Sequence, residues 1–141
     1  NGSNTLNQVL SMNTTSAIFN SSVILNDGGV FQYSASSNNI ANTQQTSKTT
    51  TVYANGRTGQ ITTNAASISA GRSAEFTVYN TQVVSTKDVI IVNIASGATA
   101  STYAVSVTNV SVGSFNINIA NISNASPGDT LVINFAILRV N

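Results

Sequence analysis

Phe115-Asn116-Ile117-Asn118-Ile119 decides the fold class. Apolar and polar residues alternate with period two, so in an extended chain the phenylalanine and both isoleucines share one face and the asparagines the other. That is the pattern of a strand half buried and half wet. Ala74, Phe76 and Val78 alternate in the same way with Glu75, Thr77 and Tyr79, and Tyr103, Val105 and Val107 are set against Thr102, Ser106 and Thr108. No stretch carries a helical stripe of apolar residues, although Thr63 to Ala70 has room for one short turn.

Two segments depart from the alternation. Val89 to Ile94 and Leu131 to Leu138 place large apolar residues on both faces, so each is expected to be a central strand or one whose second face a partner subunit covers. On this ground Leu131, Ile133, Phe135, Ile137 and Leu138 are the candidate oligomer interface. Between the runs lies turn chemistry. Asn55-Gly56 suits a two-residue type I′ hairpin joining Thr49 to Ala54 with Gly59 to Thr63. Ala70-Gly71-Arg72, Ser96-Gly97-Ala98 and Ser126-Pro127-Gly128-Asp129 mark further reversals.

The expected fold is therefore all-β: an antiparallel β-sandwich, jelly-roll-like, over residues 57–141, following an irregular arm and strand region over residues 1–56. In that first region the apolar stretches Leu6 to Met12, Ala17 to Leu25 and Val30 to Tyr33 are separated by polar tracts, and Ser36 to Lys48 reads as loop or extended arm. An exposed apolar arm is costly unless a partner covers it. Leu10, Phe19, Ile24 and Phe31 are accordingly the candidate attachment residues, with the whole chain one structural unit. The similar pair Thr108-Asn109-Val110-Ser111 and Ala120-Asn121-Ile122-Ser123 is too short to define a repeat.

Composition narrows the chemistry. The 141 residues include 5 Lys plus Arg, 4 Asp plus Glu, no His and no Cys. Thiol nucleophiles, disulfides, a structural zinc and the usual general base are thus excluded. Five scattered cations make no basic stripe for phosphates or for an anionic membrane surface, so neither nucleic acid nor membrane is an expected partner. The longest aliphatic runs, Val89 to Val92 and Phe135 to Leu138, are far too short to span a bilayer. Asn supplies 20 residues and Ser plus Thr 38, which gives a wet but electrostatically quiet surface. Low charge removes a guard against self-association, so the chain reads as an assembly component. Asn rather than Met at position 1 leads to the expectation of a longer precursor or a trimmed chain.

Each reactive grouping has a duller assignment. Asp27 opens a turn, Asp88 sits beside Lys87, Asp129 closes a Pro-Gly turn and Glu75 lies on the polar face of a strand, so no glycosidase-like pair is expected. Asp27 and Asp129 lack the spaced acidic loop of a calcium site. Ser47-Lys48 and Ser85-Thr86-Lys87 read as solvated lysines in loops, and no motif marks a Lys–Asn isopeptide staple. Asn-x-Ser/Thr occurs six times, about what this composition yields by chance. Tyr33, Tyr53, Tyr79 and Tyr103 are sugar-stacking candidates, though half-buried strand tyrosine is ordinary. The expectation is a non-enzyme with no cofactor and no metal.

Thr58-Gly59-Gln60-Ile61-Thr62-Thr63, Ser73-Ala74-Glu75-Phe76-Thr77-Val78, Asp88-Val89-Ile90-Ile91-Val92, Val110-Ser111-Val112-Gly113-Ser114-Phe115 and Leu131-Val132-Ile133-Asn134-Phe135-Ala136, in that order, resemble a recurrent β-sandwich domain in structural proteins of marine tailed bacteriophages. The resemblance covers residues 58–141. It implies a virion-surface protein of the capsid decoration (cement) type, self-associating, with a trimer favoured, and docked on the major capsid protein or another virion protein. A tail-fibre or receptor-binding domain that recognises host glycans is one alternative. An extracellular filament subunit that donates Leu6 to Met12 or Ala17 to Leu25 to its neighbour's sheet is the other.

Overall fold

A computed structural model of the chain describes residues 39–140, which fall in the second of two units, Asn1–Gln32 and Tyr33–Asn141. The candidate attachment residues Leu10, Phe19, Ile24 and Phe31 lie outside the described residues, as do Asp27 and Tyr33. Eight strands and no helix are found among those described: β1 (Asn39–Thr43), β2 (Val52–Tyr53), β3 (Thr58–Thr62), β4 (Ser73–Tyr79), β5 (Val89–Ser96), β6 (Tyr103–Ser111), β7 (Ser114–Asn121) and β8 (Val132–Leu138). They form two four-stranded sheets, sheet A in the order β1-β3-β8-β5 and sheet B in the order β2-β4-β7-β6.

The period-two pattern explains the core. Ala74, Phe76 and Val78 of β4 and Phe115, Ile117 and Ile119 of β7 are buried on the inner face of sheet B, and they meet Ile61 of β3 with Ile133, Phe135 and Ile137 of β8 from sheet A. Phe115 and Phe135 join the layers, their ring centroids 5.5 Å apart and tilted by 56°. Each such side chain removed from water contributes about 1.5–3 kcal/mol, enough together to hold two sheets without a covalent staple. The sandwich expected from the alternation is what the chain forms; these strand orders do not establish jelly-roll connectivity.

Four expectations are corrected. Neighbours are not all antiparallel, because β1 pairs with β3 and β2 with β4 in parallel. This follows from the path of the chain, which crosses between the sheets after every strand except β6, so that consecutive strands seldom share a sheet. Asn55-Gly56 is for the same reason a corner between sheets and not a hairpin: β2 lies in sheet B and β3 in sheet A. The asparagine side chain there accepts from the amide (3.0 Å) and the hydroxyl of Thr81. Among the described residues the one two-residue hairpin turn is Val112-Gly113, with Ser111 opposite Ser114 and Gly113 at a φ of 85°.

The sandwich also begins well before residue 57. β1 and β2 edge the two sheets, Val52 and Ala54 are core residues, and Gln44 and Lys48, assigned to a polar arm, are buried. The Thr63 to Ala70 segment is extended loop without a helical turn.

The fourth correction concerns the proposed oligomer interface. β8 is central, between β3 and β5, and Leu131, Ile133, Phe135 and Ile137 are buried in the core of this chain, with only Leu138 exposed. Four of those five side chains are spent inside the monomer. β5, the other segment with two apolar faces, is instead the open edge of sheet A.

Candidate functional site

The outer face at that edge keeps a row of exposed apolar side chains, whereas Val112 and Ile122 are exposed singly in connections elsewhere. β5 turns Ile90, Val92 and Ile94 toward the core and leaves Val89 48% and Ile91 50% exposed on the other side. Register places Val89 opposite Leu138, itself 38% exposed, and Ile91 opposite Ala136. Val84 and Val140 add further exposed aliphatic surface close by, since the amides of both address the Asp88 carboxylate that precedes β5. Among the described residues the eight-residue strand pairs only with β8, and no described strand adjoins its second edge. A long apolar edge of this kind is a template for another strand or protein surface.

Asp88 fixes the start of the edge. Its Oδ2 accepts from the amides of Val84 (2.9 Å) and Ser85 (3.3 Å), and Oδ1 faces Arg139 Nε at 3.7 Å. Arg139 Nη2 also donates to the Gln82 carbonyl at 2.7 Å, tying the end of β8 to the β4–β5 connection. Burial alone would raise the Asp88 pKa, but the amides of Val84 and Ser85, the guanidinium and the Val140 amide outweigh it and hold the carboxyl below its ordinary value. The carboxylate is a structural brace, its charge met by Arg139 within the chain.

Glu75 and Asp129 are likewise engaged one by one. Glu75, on the outer face of sheet B, accepts from Asn116 Nδ2 (3.0 Å) and Thr108 Oγ1 (2.5 Å). Asp129, in the β7–β8 connection, accepts from the Thr99 amide at 2.7 Å, and the Thr99 hydroxyl and amide lower its pKa. Among the described residues no three of His, Cys, Asp or Glu gather in one place.

Lys48 overturns its assignment as a solvated lysine. It is buried, and its ammonium donates to Thr63 Oγ1 (3.3 Å) and to the backbone carbonyls of Asn64 and Asp129. Gln44 works beside it, donating to the Lys48 and Thr50 carbonyls and accepting from the Asn64 amide. Lys87 is exposed.

The tyrosines divide. Tyr103 is buried, with its hydroxyl donating to the Pro127 carbonyl at 3.0 Å, and burial raises its pKa. Tyr53 and Tyr79 are exposed and stacked on one another at the edge of sheet B. Sequence reasoning flagged Val89 and Ile91 within a two-faced segment; it had no signal for which such segment lies at an edge.

Comparison of the chain with protein-family models, with curated proteins and with solved structures finds no match.

Proposed function

We propose that this chain is a non-enzymatic virion structural protein, a decoration module of a phage head that works by docking on protein neighbours. The observation that carries the proposal is the half-exposed strip of Val89, Ile91 and Leu138 along the open edge of sheet A, in a chain with nine charged residues. Such a strip costs free energy while wet and returns it when covered, which is how a protein acts through binding and not through chemistry. The resemblance of the ordered sequence phrases to phage β-sandwich domains supports the virion setting. Copies associate, with a trimer matching a local three-fold axis, and the strip packs against a second copy or the major capsid protein.

Cryo-electron microscopy of the particle that carries the chain tests this reading. Density for the sandwich on the head lattice, with β5 turned toward a neighbouring subunit, is the expected result. Density at a tail tip or along an extracellular thread would overturn it in favour of the fibre or filament reading. In solution, sedimentation of the wild type at micromolar concentration should show self-association that Ile91→Lys abolishes.

A further inference from the structure

The outer face of sheet B has a different character from the strip on sheet A. Tyr53 stands beside Tyr79 in the β2–β4 pair, the rings stacked with 5.1 Å between centroids and 22° between planes. On its other side Tyr79 has Ser114 opposite it on β7, and Ser111 stands beyond on β6. The aromatic pair therefore ends in a step down to two small hydroxyl side chains and the Val112-Gly113 turn. An open cleft of about 340 Å³ is lined there by Tyr53, Asn55, Tyr79, Asn80, Thr81 and Gly113. Tyr53 is 72% and Tyr79 47% exposed, and among the described residues each ring stacks only on the other.

The polar part of this face is continuous. In register with the tyrosine row, the next row along the strands is Thr77, Asn116 and Asn109, and the one after it Glu75, Asn118 and Ser106. Thr77 Oγ1 donates to Asn116 Oδ1 at 3.1 Å, and Asn116 Nδ2 passes the chain on to Glu75 Oε1 at 3.0 Å. Three rows span roughly 13 Å, the reach of a short oligosaccharide. No Lys or Arg stands on any strand of the sheet.

The cleft is also braced from beneath. Gly113 N donates to the Val83 carbonyl and accepts at its own carbonyl from Asn80 N, both at 2.8 Å. The buried Asn80 side chain reaches back to the Gly56 carbonyl at 2.7 Å, so three connections lock together under the tyrosines. A site already rigid loses little entropy when a ligand arrives.

We propose that this face binds an uncharged oligosaccharide, with Tyr79 and Tyr53 as the stacking wall and Ser114, Asn116 and Glu75 as the hydrogen-bonding floor. A pyranose ring has one apolar C–H face and a rim of hydroxyls. The electron-rich face of tyrosine attracts the first, while amide, hydroxyl and carboxylate groups exchange hydrogen bonds with the second. The lone carboxylate and the absence of cations on these strands disfavour sulfated or sialylated chains. The site lies on the opposite sheet from the docking strip, so it goes beyond the assembly role and leaves that role free to operate.

The test is a titration of the isotope-labelled full chain, followed by amide NMR shifts, with neutral hexasaccharides of glucose, galactose and mannose, and with sialyllactose and heparin oligosaccharides as charged controls. Saturable shifts confined to residues around Tyr79, Thr81, Gly113, Ser114 and Asn116 are expected with at least one neutral sugar. Tyr79→Ala should weaken binding by about tenfold or more. Ser114→Ile fills the step beside Tyr79 with a residue that strands favour, and it should abolish the shifts without lowering the denaturation midpoint. This second variant decides the matter if Tyr79→Ala fails to fold. No saturable shift with any neutral sugar, binding indifferent to Ser114→Ile, or preference for the charged controls would each overturn the proposal.

Discussion

The ammonium of Lys48 donates to the backbone carbonyl of Asp129, 81 residues further along the chain. Because it also reaches the Asn64 carbonyl and Thr63 Oγ1, one side chain joins the β1–β2, β3–β4 and β7–β8 connections at one end of the sandwich. Asn121 does the same nearby, with its Nδ2 donating to the Ile68 and Ala125 carbonyls at 2.7 Å and its Oδ1 accepting from Ser123. Asn80 ties the other end. A chain that crosses between sheets at nearly every connection has many loop carbonyls with no strand partner, and buried groups of that kind must be satisfied from somewhere. Part of the high Asn content is explained by this internal demand and not by the surface.

Removing the Lys48 ammonium should therefore be costly despite its charge. In Lys48→Met the methylene stem is nearly preserved, but the carbonyls of Asn64 and Asp129 lose their donor. An unsatisfied buried acceptor costs ~1–3 kcal/mol, so urea denaturation should show a loss of about 2 kcal/mol or more with an unchanged slope.

Phe135 gives a contrast between core and interface. It is buried in the centre of sheet A against Phe115, and Phe135→Ala should destabilise the fold by ~3–5 kcal/mol. An interface residue would instead leave a folded monomer on substitution. Denaturation midpoint and sedimentation measured on the same variant separate the two: the expected result is lost stability with no stable monomeric intermediate.

The same two residues mark how far the sequence could be read. β4 and β7 were legible because period-two alternation depends only on which face is wet, and residues 74–78 and 115–119 report that directly. Centre and edge are not distinguished by that signal. β5 and β8 both read as apolar on two sides, yet β8 is flanked by two strands and β5 by one. Asn55-Gly56 has the same local chemistry whether the chain returns in one sheet or crosses to the other, so the hairpin reading failed on a matter of long-range topology. Lys48 was illegible because its partners are main-chain carbonyls, which leave no trace in residue type. The exposed Tyr79 stood on the polar register of its strand, but the small Ser114 beside it became significant only once β4 and β7 were paired.

Stability should rise with pH across the acid range. Asp88 and Asp129 both sit below the ordinary carboxylate value of 3.8, so near that pH the unfolded chain binds more protons than the folded one. Their contribution is complete above 3.8 and is lost as the pH falls through the lowered folded values. Burial lowers the Lys48 pKa from 10.5, with Asp129 opposing, which gives the same sign between its folded value and 10.5. Urea midpoints should therefore climb from acid to neutral pH. Approaching pH 10.5 the raised Tyr103 pKa acts in the opposite sense, so the Lys48 contribution is read as a gain of the wild type relative to Lys48→Met. A midpoint flat from strongly acid to neutral solution would contradict the roles given to the two aspartates.

Gly97 and Gly71 separate backbone strain from collision. Both have positive φ, 82° and 66°, a region that costs an L-residue with a side chain ~1–2 kcal/mol. At Gly71 an added methyl meets nothing within 4 Å, so Gly71→Ala should lose only that strain. At Gly97 the methyl would lie 2.0 Å from the Thr130 carbonyl oxygen, a backbone atom that leads directly into Leu131 and β8. The corner between β5 and β6 can relieve the overlap only by moving away from the β7–β8 connection, and with it the Thr99 amide that holds Asp129. Gly97→Ala should accordingly cost clearly more than Gly71→Ala in a denaturation series. It should also be the variant of the two that shifts the Thr99 amide resonance; equal losses would mean that the β5–β6 corner yields without cost.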